Sequence, residues 1–253
     1  MSKLKVLIWN ENEHEKIHPE VAEIYPKGIH GTIAEGVAAE DLDISIATMD
    51  MPDQGLPDGV LDDVDVLVWW GHMLHHLVEP RIIEMINERV NAGMGFLALH
   101  SAHHSKVFQR LMGTNCNLAW READEGERVR VWCVTPSHPI AKGVPQWIDV
   151  PKDEMYGEPF NVPKPDDIVF INWYEGGEVF RGGCTWTRGR GRIFHFSPGH
   201  ETFPVYHQPE IIQVIGNGIR WAAEPHRDGH NLSNLHRPIP LEKGAPTSSR
   251  RDP

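Results

Sequence analysis

A chain of 253 residues with 40% hydrophobic and 24% charged side chains has the size for one sizeable core and the profile of a soluble globular protein. Its formal net charge of -12 excludes a nucleic-acid surface, which needs clustered Lys and Arg, and leaves small neutral ligands and cations as partners. No run reaches the ~18–20 apolar residues of a membrane span, so no membrane partner is expected.

The first predicted element is an apolar strand over residues 3–9. It breaks into Asn-Glu-Asn-Glu with no small-residue cleavage site, which argues against a signal peptide. A helix around 19–40 follows, then a strand over 42–47 with Leu42, Ile44 and Ile46 alternating. Residues 64–70 form a third strand, apolar enough to be buried on both faces, as central parallel strands are. A helix over 79–91 carries Ile82, Ile83, Ile86 and Val90 at helical spacing, with Gly93 as its C-cap. A fourth strand covers 96–99. This alternation implies right-handed crossovers and an α/β, doubly wound parallel sheet.

From about 113 to 190 the pattern changes. Strand-like pieces at 129–134, 168–171 and Val179 are separated by loops rich in Pro and Gly, and read as further sheet and excursions capping a site. Arg188-Gly189-Arg190-Gly191-Arg192 reads as a hairpin turn. A strand at 192–196 and an amphipathic helix at 209–223 close a single domain, 1–225. The remainder, 226–253, is a polar, Pro-rich tail without periodicity that either wraps the domain or a neighbouring subunit or stays disordered. The loop-rich middle and this tail suggest a homo-oligomer.

Cys116, Cys133 and Cys184 are too widely spaced for a disulfide framework or a CxxC metal site, and a reducing cytoplasm is the expected compartment. The unusual counts are 16 His and 9 Trp. Four stretches run as a buried strand and stop in histidines and carboxylates: 5–16, 64–76, 95–106 and 191–201. Ligands of parallel α/β sheets bind beyond the carboxyl ends of the strands, so these four ends point to one site.

Within that site His72 and His75 sit three apart after a strand, at the expected start of a helix, a spacing that puts both imidazoles on one face and suits zinc. His100 and His103 repeat the spacing after the next strand, with His76 and His104 beside them. Strands lie ~5 Å apart, so the pairs can converge on one ion. The competing reading is that single histidines cap helices or bond backbone groups. His200 and Glu201, after the turn Pro198-Gly199, suit a general base or a ligand; the plainer alternative is a turn with an exposed acidic cap. Glu122 and Glu154 add carboxylates able to bind metal, move a proton or anchor a sugar hydroxyl, unless they belong to solvated loops. Trp9, Trp69 and Trp70 could stack on a carbohydrate, but tryptophan is more often core. Gly93, Gly95 and Leu99 make no dinucleotide fingerprint, so no nucleotide cofactor is expected.

These residues resemble the ThuA-like, or trehalose-utilisation, family. The matching motifs are Trp-Asn-Glu near the first strand, Trp69-Trp70-Gly71-His72-x-x-His75, and Gly95-Phe96-x-x-Leu99-His100-Ser101-x-His103-x-Ser105-Lys106. Trp120-Arg121-Glu122, Glu154-Met155-Tyr156-Gly157-Glu158 and Phe196-Ser197-Pro198-Gly199-His200-Glu201 follow. The resemblance spans about 5–223 and implies a flavodoxin-like fold of the class I glutamine amidotransferase type. Those amidotransferases carry a cysteine nucleophile at the elbow that here reads His100-Ser101-Ala102, while His200 resembles their catalytic histidine. Without the thiolate no glutaminase activity is expected, and Ser101 lacks a GxSxG elbow. The resemblance implies carbohydrate catabolism on a disaccharide or keto-sugar derivative. The chemistry expected is acid–base work by His200, Glu201, Glu122 and Glu154, with or without a divalent metal, zinc first, on His72, His75, His100 and His103. A non-catalytic sugar-binding protein and a metal-dependent hydrolase of another small substrate are the alternatives.

Overall fold

The computed structural model describes residues 3–123 and 125–224; the expected tail at 226–253 lies outside them. The first strand, β1 (Leu4–Asn10), is buried from Val6 onward, as a strand between two helix layers must be. Three short helices follow, α1 (His14–Ile17), α2 (Pro19–Ile24) and α3 (Gly28–Val37). The single helix expected over 19–40 is interrupted here because Pro26 has no N–H to continue the ladder. Next come β2 (Leu42–Thr48), β3 (Val66–Trp70) and α4 (Pro80–Ala92), which buries Ile82, Ile83, Ile86 and Val90 and stops at Gly93 as its sequence indicates.

After β4 (Gly95–Leu99), helix α5 (Lys106–Met112) begins at Ser105, whose Oγ accepts the Phe108 N–H at 3.1 Å. The middle of the chain supplies β5 (Ala119–Arg121), β6 (Glu127–Cys133), β7 (Trp147–Asp153), β8 (Met155–Gly157), β9 (Asp167–Tyr174) and β10 (Val179–Arg188). The chain then returns through β11 (Gly191–Phe196) and closes with α6 (Pro209–Ala222). The last helix buries Ile211, Val214, Ile215, Ile219 and Ala222.

The main sheet runs β2-β1-β3-β4-β11-β10-β9-β6-β7. Neighbours from β2 to β11 are parallel, which is the flavodoxin-like part expected. From β11 to β7 every pair is antiparallel, so the sheet is mixed rather than parallel throughout. The reason is connection length. A parallel pair needs a crossover of a dozen residues, whereas the Gly189-Arg190 turn joining β10 to β11 allows only a hairpin. The short pair β5-β8 stands apart as a second sheet.

One consequence positions the site. The four strands that end in histidine and carboxylate are β1, β3, β4 and β11, consecutive in the sheet and parallel. Their carboxyl ends therefore share one edge. Beneath that edge Trp9 stacks on Trp69 at 3.7 Å between ring centroids, and both are buried together with Trp70. All three tryptophans are core. No helix is long and apolar enough to cross a membrane among the described residues.

Candidate functional site

Each strand hands at least one group to the shared edge. Beyond β1, α1 opens with the buried His14. Beyond β3, the 71–74 loop carries His72. Beyond β4, His100 takes the left-handed conformation at φ 48, a sharp elbow that turns it away from the residues after it. Beyond β11, the chain runs to His200 and Glu201. From the far side of the sheet, the junction of β7 and β8 brings Asp153 and Glu154.

These side chains form two adjoining clusters. In the first, Glu201 Oε1 lies 3.0 Å from His14 Nε2 and 2.9 Å from His72 Nδ1. In the second, Glu154 Oε2 lies 3.2 Å from His100 Nε2, and His200 completes the triangle. Within each cluster the ligand-capable atoms all lie within 4.8 Å of one another. His200 Nε2 is 3.8 Å from Glu201 Oε1, and the His72 ring is 5.5 Å from that of His200 and 6.0 Å from that of His100, so the clusters share one pocket.

Hydrogen bonds fix several tautomers. The Ser197 carbonyl can only accept, so His100 Nδ1 donates to it at 2.8 Å, leaving Nε2 to face Glu154. Tyr156 stacks under the same ring at 4.9 Å, with its hydroxyl 3.3 Å from Nε2. His200 Nδ1 meets Thr202 Oγ1 at 2.7 Å. The charges follow burial and neighbours. Burial would lower His100, but the Glu154 carboxylate outweighs it and raises the imidazole to about 9. Burial lowers His200 to about 4, against the pull of Glu201. Glu201 is raised by burial, yet His72, His200 and His14 together hold it far below the usual carboxylate range. Glu154 is likewise drawn down, burial being overcome by His100. A cleft of about 890 Å³ between α3 and α6 is lined by none of these groups.

The trehalose-utilisation family model, ThuA, matches residues 5–222. The chain belongs to the ThuA family. Among solved structures, a ThuA-like protein from Parabacteroides merdae aligns at TM-score 0.63 and 18% identity, over 90% of this chain and 92% of its own. A ThuA-like protein from Bacteroides uniformis gives 0.61 and 16%, over 87% and 91%. PurLQS from Thermotoga maritima gives 0.51 and 11%, over 87% and 99%. At these identities the likeness is one of fold, and it is the fold expected from the motifs. A search of curated proteins finds no match.

For this ThuA-family chain, the structure brings together five of the eight residues singled out in the sequence: His72, His100, Glu154, His200 and Glu201. Glu122 sits at the rim, half-exposed, 3.8 Å from His200 Nε2. His75 and His103 enter neither cluster. No helix starts at His72; the chain makes a 3-10 turn at His75–Leu77, and α4 begins only at Pro80, so His72 and His75 do not share a helical face. Burial lowers His75 to about 3, and its Nε2 has no partner. His103 donates through Nδ1 to the Cys116 carbonyl at 3.0 Å and packs among Tyr156, Phe160 and His195. Sequence reasoning missed His14, whose only signal is its place in Asn-Glu-Asn-Glu-His after the first strand.

Proposed function

We propose that this chain is an enzyme of disaccharide catabolism that moves a proton on a keto derivative of a disaccharide, with His72 as the base. The observation that carries this reading is the Glu201 carboxylate, which accepts the Nδ1–H of His72 at 2.9 Å and has His14 Nε2 beside it at 3.0 Å. An ionised carboxylate can only accept, so His72 is held as the Nδ1–H tautomer and its Nε2 lone pair is free. His72 is also the most accessible of the clustered histidines, its side chain 30% exposed while those of His14, His100 and His200 are buried. An imidazole oriented this way is suited to general-base work. A carbon–hydrogen bond beside a ketone is acidic enough for such a base; its proton passes to Nε2 and its electron pair to the carbonyl oxygen. That enolisation opens both isomerisation and elimination. The family's link to trehalose utilisation supports the substrate class.

We place a divalent cation, zinc first, on His100, Glu154 and His200. The donors fit: His100 is anchored through Nδ1 by a backbone carbonyl, the outer-shell pattern of ligating histidines. Glu154 Oε2 is buried without an aligned donor, leaving its lone pairs for an ion. Two histidines and a carboxylate suit zinc, which when bound supplies Lewis-acid polarisation of a carbonyl oxygen. Glu122, at the rim, is placed to anchor a sugar hydroxyl. Glutaminase chemistry is not part of this reading, since Ser101 Oγ is committed to the Gly71 carbonyl at 2.8 Å. The three free cysteines suit the cytoplasm.

Proton NMR in heavy water tests the reading, with a keto-disaccharide as substrate. Deuterium should replace the proton beside the carbonyl, and His72→Gln should slow that exchange by about 10²–10⁴-fold. Elemental mass spectrometry should find near-stoichiometric metal that is lost in His100→Ala. Sugar binding without exchange would identify a non-catalytic binding protein instead. Metal-dependent turnover of simple esters, with no keto-sugar exchange, would identify a hydrolase of another substrate.

A further inference from the structure

Two carboxylates near the strand ends, Glu11 and Asp153, belong to neither cluster, yet both are buried. Among the described residues no Lys, Arg or His lies within ion-pair distance of either. Burying a carboxylate without a cation is costly unless hydrogen bonds hold it. Here the bonds come from backbone. Glu11 accepts the N–H groups of three consecutive residues, His72 at 2.9 Å, Met73 at 2.8 Å and Leu74 at 2.8 Å. Asp153 accepts from Glu154 at 3.0 Å, His200 at 3.0 Å and Gly199 at 3.2 Å.

The two grips share a design. Each seizes the main chain at a residue that a cluster uses. A Cβ on Gly71 would stand 3.3 Å from Glu11 Oε2. Gly199 has φ +139, and a Cβ there would run into the Tyr206 hydroxyl. Two buried carboxylates that the chemistry leaves unused are thereby explained.

We propose that Glu11 and Asp153 are paired positioning residues: Glu11 sets His72, and Asp153 sets His200 and Glu154, each through backbone N–H groups. This rests on the reading of His72 as base and of His200 and Glu154 as metal ligands, and adds what holds them in register. It separates the two jobs physically, because each anchor controls a different loop. A carboxylate accepts on both oxygens whereas an amide accepts on one. Glu11→Gln or Asp153→Asn therefore turns an NH2 against a backbone N–H without changing side-chain size, and the loop must move.

The test uses nitrogen-15-labelled full chain in both variants, reading amide hydrogen exchange, the His72 imidazole nitrogen shifts, zinc chloride titration and keto-disaccharide exchange. Glu11→Gln should lose amide protection at 72–74 by about tenfold or more and erase the Nδ1–H signature of His72. It should slow keto-sugar exchange by about 10–100-fold with KM little changed, because a displacement of ~1 Å suffices for that loss. Its zinc affinity should stay within about threefold of the wild type, since Asp153 and not Glu11 holds the ligand loop. Asp153→Asn should lose protection at 199–200 and weaken zinc by about 10–100-fold.

Wild-type amide protection and imidazole spectra in both variants would overturn the proposal. Lost protection with unchanged imidazole spectra and unchanged zinc affinity would overturn it equally. Should the wild type neither bind zinc nor exchange keto-sugar protons, the catalytic reading fails alone, and the amide and imidazole signals still decide the positioning role. If Glu11→Gln does not fold, Gly71→Ala presses on the same carboxylate more gently; selective change at 72–74 is then expected, and a normal spectrum there would sink the idea.

Discussion

Replacing His103 with Asn should leave the clusters intact and change how the fold responds to acid. His103 is 2% exposed, and its ring lies 5.2 Å from Tyr156, 5.9 Å from Phe160 and 6.1 Å from His195 between centroids. Burial first, then the neighbouring His104 and His195, hold it well below the ordinary histidine range. In the unfolded chain the same side chain takes up a proton near pH ~6.5. Below that pH the unfolded state binds a proton that the folded state refuses, so stability falls as pH falls; above it this group adds no pH dependence. The slope is about 1.4 kcal/mol per pH unit, or about 2 kcal/mol between about pH 6.5 and pH 5. That is a large share of the ~5–15 kcal/mol by which folded domains are stable.

Asn keeps an N–H donor for the Cys116 carbonyl and cannot titrate. Losing the ring should cost about 1–3 kcal/mol at every pH through the space it leaves. Urea unfolding from about pH 5 to pH 7 should therefore show a variant that is less stable at neutral pH but falls less steeply in acid, by about 1.4 kcal/mol per pH unit. Stability curves that run parallel for wild type and variant would refute the assignment of His103 as a neutral core histidine.

Three more outcomes follow from the same geometry. Glu201→Gln removes the charge that holds His14 and His72; keto-sugar proton exchange should fall by about 10²–10⁴-fold while circular dichroism stays native, and a loss of only a few-fold would deny Glu201 its orienting role. Gly199→Ala combines an unfavourable φ with a collision at Tyr206, and about 2–6 kcal/mol of stability should go; a wild-type urea midpoint would contradict the backbone description. Trp69→Ala, which removes the ring stacked on Trp9, should cost about 3–5 kcal/mol. Selective loss of sugar affinity at unchanged stability would instead make that ring a stacking platform.

Among the site residues, legibility in the sequence followed the strands. His72, His100, His200 and Glu201 follow runs apolar enough to read as central strands, and polar side chains gathered at such ends mark the crevice where a parallel sheet binds its ligand. His14 lies in α1, a four-residue helix too short for any periodic signal. Glu11 belongs to the Trp-Asn-Glu motif, but its grip on three N–H groups of another strand's loop is invisible in sequence. The pairing of His100 with His103 failed for a local reason. His100 adopts φ 48, so counting three residues along a regular helix does not describe where the two rings go.

The sequence by itself determined the secondary elements with strong patterns, β1, β3, β4, α4 and α6, together with the family and the edge of the sheet where chemistry collects. It could do so because burial on both faces and helical periodicity are properties of short windows. Only the tertiary structure decided that β11 lies beside β4, that half the sheet is antiparallel, and that Asp153 and Glu154 arrive from the far side. Those outcomes depend on which strands pair, a contest between distant segments that no local pattern records. The division of the histidines into His14, His72, His100 and His200 in the clusters, against His75 and His103 outside them, was settled by the same long-range packing.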